Sequence, residues 1–351
     1  MDCEARGTGP AEDPKAKALH PEAYEAYQEA NAEYQTAVDR VYEKICINSG
    51  KRTVVKQVEL YRLYRLKSDF DIGDGKPADN PGHSVHEYGI AIDIIRASDE
   101  DRLKAALENN GWKQHASSEE QHHYTAIGVP SWATINSKRD SVLAAHIGLK
   151  DKIVQRIQTG LDTDDAERKV VEARQKVGYA RQDVAAHRQA YKTNSDLLDA
   201  EKSRLSAAEQ QRDSLQLTLA NAKSDLQGFV YTYCPNHQPY DQCDHEDLKA
   251  RYRAERQGKA DNIAHLQQNL AVLTNQISVS EQRVAQLQQR LADAQAELVA
   301  SEQREAVAES ALQKTTTDLA KLRRDAGVLD HDIGAEAQVI QGEIDAFLNG
   351  S

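Results

Sequence analysis

Four residues of this 351-residue chain have types and spacing that could do chemistry together: His86, Asp93, Glu120 and His123. The first two lie in Pro81-Gly82-His83-Ser84-Val85-His86-Glu87-Tyr88-Gly89-Ile90-Ala91-Ile92-Asp93. A sharp turn at Gly89 followed by a strand brings an imidazole and a carboxylate to one ion, a donor pair that suits zinc. Three protein ligands leave a fourth position for water, so a further histidine is expected downstream. Glu120-Gln121-His122-His123-Tyr124 supplies it, with a carboxylate three residues before His123. That carboxylate is placed to take a proton from water and return it to a leaving amine. A lone His-x6-Asp pair would carry little weight. His83 and His115 read as solvated loop residues. Asp69, Asp71 and Asp74 have calcium-type side chains but no full EF-hand pattern, so a solvated turn is expected.

The residues around the pair carry more. Ser84-x-His86-x-x-Gly89-x-Ala91-x-Asp93 resembles the signature of the D-alanyl-D-alanine carboxypeptidase family of the VanY and VanX type, and Glu120-x-x-His123 followed by Tyr124 is similar to its second motif, usually Glu-x-Trp-His. The resemblance implies zinc on His86, Asp93 and His123, with Glu120 as catalytic base. It implies hydrolysis of peptide bonds in the stem peptides of bacterial peptidoglycan. Ser84 and Tyr88, inside the first motif, are assigned to substrate binding. Family members also carry an arginine, commonly in a Tyr-Arg-Ser context after the first strand. Tyr61-Arg62 and Tyr64-Arg65 offer candidates, with Arg65 preferred. His122 stands where the family has Trp, so a register using Glu119 and His122 is the alternative; an aromatic Tyr124 after the ligand favours Glu120 and His123. The resemblance covers about residues 50 to 130.

The elements that must position these groups follow from pattern. Residues 1–19 read as a flexible leader. A helix starts at Pro21 and carries Tyr24, Tyr27, Tyr34, Val38, Val41 and Ile45 at steps near three and four. Thr53 to Tyr61, β-branched and roughly alternating, reads as a strand, as do Ile90 to Ile95 and His122 to Ile127. A short helix, Asp99 to Asn109, closes at Asn110-Gly111. Pattern gives a small α+β domain over residues 20–135, which the resemblance implies is a Hedgehog-like zinc peptidase domain, followed by a long antiparallel α-helical coiled-coil hairpin. Residues 136–162 read as a connecting helix broken near Gly160.

Composition separates the two parts. Only 5% of residues are aromatic, and both Trp precede residue 135, so one large core is not expected. In the first arm, 163–228, every seventh residue from Val170 through Val177, Val184, Tyr191, Leu198 and Leu205 is apolar, with Arg212 interrupting before Leu219 and Leu226. Its companion row includes His187, Asn194 and Glu201, which relax or specify packing. The second arm, 247–349, holds one register from Ile263 to Phe347. At ~1.5 Å per residue the first arm would reach roughly 100 Å. The second arm is longer, and its surplus is expected to pack on the Tyr24-to-Ile45 stripe. The hairpin tip, 229–246, contains Cys234 and Cys243. A disulfide there suits the proline-containing span best. A structural zinc site with His237 and His245, or free thiols, are the other readings.

A net charge of -12 argues against a nucleic-acid partner, and no run of about 18 apolar residues marks a membrane span. The start lacks the apolar region of a signal peptide. Action at the bacterial cell wall or periplasm would then need export by phage-like or injection machinery, or a trimmed secreted form. The function expected is a zinc metallopeptidase acting on peptidoglycan stem peptides as a D,D-carboxypeptidase or endopeptidase, positioned by the coiled coil, which also offers a protein-partner surface. The rival expectation is an interaction protein whose peptidase-like domain binds or anchors to the wall.

Overall fold

The computed structural model describes residues 14–38, 45–95, 99–116, 122–229 and 246–350. The chain divides into two compact units, Met1–Lys169 with Thr316–Ser351, and Val170–Thr315.

The first unit is built on a four-stranded antiparallel sheet of order β1-β2-β4-β3: β1 Ile47–Ser49, β2 Ala91–Ile94, β3 Trp112–Gln114 and β4 His123–Ala126. Around it lie α1 (Pro14–Lys17), α2 (Pro21–Ala37), α3 (Val54–Phe70), α4 (Glu100–Asn109) and α5 (Trp132–Ala145). The start of α6 (Gly148–Gln227) and the end of α7 (Glu246–Gly350) complete the unit. Trp112, Tyr34, Ile90, Ile92, Leu107 and Ile340 are among its fully buried side chains.

Several expectations need correcting. The stretch read as a strand from Thr53 to Tyr61 is the first half of α3. Thr53 caps that helix by accepting from Lys56 N, and the buried residues Val54, Gln57 and Tyr61 fall at helical spacing. β-branching at 53–55 belongs to the cap and first turn, not to a pleat. The true first strand, β1, lies upstream. The supposed flexible leader includes a packed portion: Ala16 and Leu19 are buried in the core, and Lys15 Nζ donates to Ile47 O and Asn48 O. Residues 1–13 fall outside the described ones. The connecting helix is α5, and the break falls at His146–Ile147; α6 runs unbroken through Gly160. One glycine costs about 1 kcal/mol in a helix interior, and a helix of 80 residues absorbs it.

The stripe expected to receive the second arm's surplus begins on α2. That helix packs on α4, with Glu33 accepting from Asn109 and Asn110 and with Arg102 reaching Ala37 O. The last turns of α7 bury Ile333, Ala337, Ile340 and Ile344 within the first unit. Gln341 Oε1 accepts from Val54 N at 2.8 Å and so serves the start of α3. Phe347 packs edge-on against Tyr88, with ring centroids 6.4 Å apart.

The second unit is a pair of long antiparallel helices, the α6 portion from residue 170 and the α7 portion up to 315. Arg181 pairs with Glu305 and Glu309, Asp183 with Arg304, and Arg188 with Glu302. Val170, Val177, Val184, Leu198 and Leu219 are buried along α6, on the seven-residue spacing. His187 and Asn194 are half-buried, while Glu201 is buried with its carboxylate 3.3 Å from Arg204 Nη1. No described helix is long and apolar enough to cross a membrane. Cys234, Cys243, His237 and His245 fall outside the described residues; Cys46 is disulfide-bonded.

Candidate metal centre

Asp93 and His123 meet because β2 and β4 pair antiparallel with those two residues directly opposite. Side chains alternate across a strand, so His123 shares a sheet face with Asp93 whereas its neighbour His122 does not. His86 arrives from the turn before β2. Gly89, at φ 70°, reverses the chain, and a Cβ there would sit 2.7 Å from His20 N. His20 N in turn donates to Gly89 O at 2.9 Å, which ties the turn to the α1–α2 junction.

The three side chains present one donor atom each to a common point. His86 Nε2 lies 3.2 Å from His123 Nδ1 and 3.3 Å from Asp93 Oδ1, and His123 Nδ1 lies 3.1 Å from Asp93 Oδ1. A near-equilateral triangle cannot be closed by linear hydrogen bonds, because each N–H would have to aim at two partners about 60° apart. A single cation above the triangle satisfies all three donors. Metal–nitrogen bonds of about 2.0–2.1 Å in a tetrahedron require donor separations of about 3.3–3.4 Å, close to those found. The group can hold a metal ion.

Surrounding contacts fix the donors. Gly50 O can only accept, so His86 Nδ1 donates to it at 2.8 Å and leaves the Nε2 lone pair facing the centre. With Nδ1 of His123 turned inward, its Nε2 sits 3.3 Å from Thr125 Oγ1. Arg52 Nη2 bonds Asp93 Oδ2, and Arg52 Nε donates to Ser49 Oγ at 2.8 Å. Burial lowers the His86 imidazole from its ordinary value, with Asp93 offsetting part of the effect, so it favours the neutral, ligating form. Burial alone would raise Asp93. The His123 and His86 ring nitrogens beside it and the charge on Arg52 outweigh it and hold the carboxyl well below the usual range.

The centre opens on a cleft of about 1130 Å3 whose lining includes Arg52, Tyr64, Ser84, His115, Arg139 and the three donors. Ser84 and the triad are therefore brought together, and His115 stands edge-on to His123, with centroids 5.8 Å apart. Tyr88 is not in the lining: it is fully buried and donates to Gly82 O at 3.0 Å, so its assignment to substrate binding is corrected to a core role. Arg65 and Arg62 are also absent from the lining. Arg65 is held on α3 by Asp69 and by Tyr61 Oη, and Arg62 lines a separate hollow with Arg156 and Arg323. The arginine at the centre is Arg52. The signal for it was its place after the first strand, obscured when the α3 sequence was read as that strand. Arg139 came from α5, beyond the motif region, and no spacing announced it. Glu119 and Glu120 lie outside the described residues.

No family model matches the sequence, and no curated protein matches it either.

Proposed function

We propose that the chain is a zinc-dependent peptidase acting on the stem peptides of peptidoglycan. The observation that carries this reading is the triangle of His86, Asp93 and His123 donor atoms, 3.1–3.3 Å apart, at the base of a cleft. The motif residues Ser84, Gly89 and Ala91 around them supply the likeness to the VanY and VanX type. A zinc ion held there supplies Lewis acidity for a peptide carbonyl and for water. The two histidines hold neutral nitrogens and Asp93 one negative charge, so the ligand set keeps net positive charge at the centre. Arg52 keeps Asp93 oriented through its outer oxygen and adds positive charge where a carbonyl oxygen becomes anionic. Glu120, three residues before His123, is the general base that takes the proton from water and passes it to the leaving amine.

The test uses zinc-loaded protein and a synthetic stem pentapeptide, with released amino acid or dipeptide quantified. Glu120→Gln is expected to lower the rate by about 10²–10⁴-fold with zinc content unchanged. A variant as active as the parent removes Glu120 as the base, and a parent that releases nothing sinks the enzyme reading and leaves the wall-binding one.

A further inference from the structure

Arg139 is a buried cation without a carboxylate. Its side chain is 7% exposed and lines the same cleft as the metal donors. Nε donates to His83 O at 2.7 Å and Nη1 to Asn136 Oδ1 at 2.9 Å, both neutral acceptors. A guanidinium has five N–H donors, so three are left without a protein partner among the described residues. No described carboxylate lies within ion-pairing distance, although Asp79, Glu87 and Asp140 influence it from further away. Glu87 accepts from Gly82 N and Ser84 N, Asp140 faces His83 Nε2, and Asp79 is exposed at the lining of the same cleft, beyond ion-pairing distance of Arg139. Removing a cation from water without a counter-charge is unfavourable unless a ligand completes it.

We propose that Arg139 is a specificity residue that binds a carboxylate of the substrate. Its anchor point is His83 O, three residues from the donor His86, a reach of no more than about 10 Å along the chain. A peptide whose carbonyl lies at the metal centre therefore carries its carboxylate one or two residues away. Two sources fit that chemistry: a free C-terminus, or an acidic side chain beside the scissile bond. Planar, bidentate recognition is what arginine offers and lysine does not. The inference rests on the peptidase reading for which peptide occupies the cleft, but its test cleaves no bond.

Calorimetry on metal-stripped protein compares three probes: acetyl-D-Ala-D-Ala, its C-terminal amide, and acetyl-D-Glu-D-Ala amide, whose only carboxylate is on a side chain. One of the two acids is expected to bind at least about tenfold tighter than the neutral amide, the scale of a charge-assisted pair. Which acid it is identifies the source. Arg139→Gln should reduce that acid to the level of the amide, and Arg139→Lys should keep part of the preference. Equal binding of all three probes, no binding of any, or an undiminished preference in Arg139→Gln overturns the proposal. The comparison on the parent protein needs no variant, so it decides even if loss of the bond to His83 O impairs folding. Failed hydrolysis with intact acid preference would remove the peptidase reading and leave the anchor standing; hydrolysis without acid preference would do the reverse.

Discussion

The two units of this protein reach stability by opposite means. In the second, one register repeats, and each buried Val or Leu along α6 contributes a similar small amount. In the first, few contacts repeat. His86 depends on Gly50 O, Asp93 on Arg52, and the turn at Gly89 on the backbone of His20. A repeat spreads its energy over many interchangeable positions, whereas a site concentrates it in contacts that no neighbour can replace. Single substitutions should therefore separate the units sharply.

The largest effect is expected at the donors. His86→Ala removes one of three ligands and should weaken zinc binding by more than about a hundredfold, measured by competition with a chromophoric chelator. Retained affinity would show that the triangle is not the metal centre. Gly89→Ala comes next. It forces a side chain into φ 70° and against His20 N, and should destabilise the first unit by about 2–4 kcal/mol. Hydrogen exchange resolved by region is the right readout, because a chain of two units need not unfold in one step. Protection should fall in the sheet and persist in residues 170–227; uniform loss would erase the contrast drawn above.

A third prediction concerns pH. Burial raises Glu87 to about 8 from an ordinary value of 4.5, offset in part by Gly82 N and Ser84 N. The native state thus keeps a proton that the unfolded chain releases near 4.5. The stability this contributes is complete below that value and is lost as pH rises through about 8. Glu87→Gln should cost about 1–2 kcal/mol at pH 5, since an amide nitrogen cannot accept one of the two backbone bonds. It should also flatten the decline between pH 5 and 8. Denaturant melts of metal-free protein across that range check both halves, and a slope unchanged in the variant would refute the assignment. The smallest effects belong to the helical pair. Leu198→Ala should cost about 2 kcal/mol. Arg188→Ala, which loses an exposed pair with Glu302, should cost under about 0.5 kcal/mol. A larger loss at Arg188 than at Leu198 would show that charge rather than the apolar seam holds these helices.

What could be read from the residues alone was whatever depends on local spacing. The heptads of α6 and α7 were legible because burial there recurs with the chain's own period. His86 and Asp93 were legible because a turn glycine and a short strand separate them by a few residues, whereas His123, 30 residues beyond Asp93, was found as the third donor through its likeness to a second motif. The errors came where local preference met a competing context. Thr53-Val54-Val55 favours a strand by side-chain shape, yet the Thr53 cap and the Gln341 side chain from α7 supply the helix start with acceptors. That misreading hid β1, and with it Arg52.

The sequence by itself determined the long helices, whose heptads are written in intervals of a few residues, and the placing of His86 and Asp93 on either side of one turn glycine. Only the tertiary structure decided which cations enter the cleft, that Tyr88 belongs to the core, and that the end of α7 packs against the turn that carries His86 and Tyr88. Those outcomes depend on burial between segments as far apart as Val54 and Gln341. Desolvation is a property of the assembled surroundings, and no interval along the chain records it.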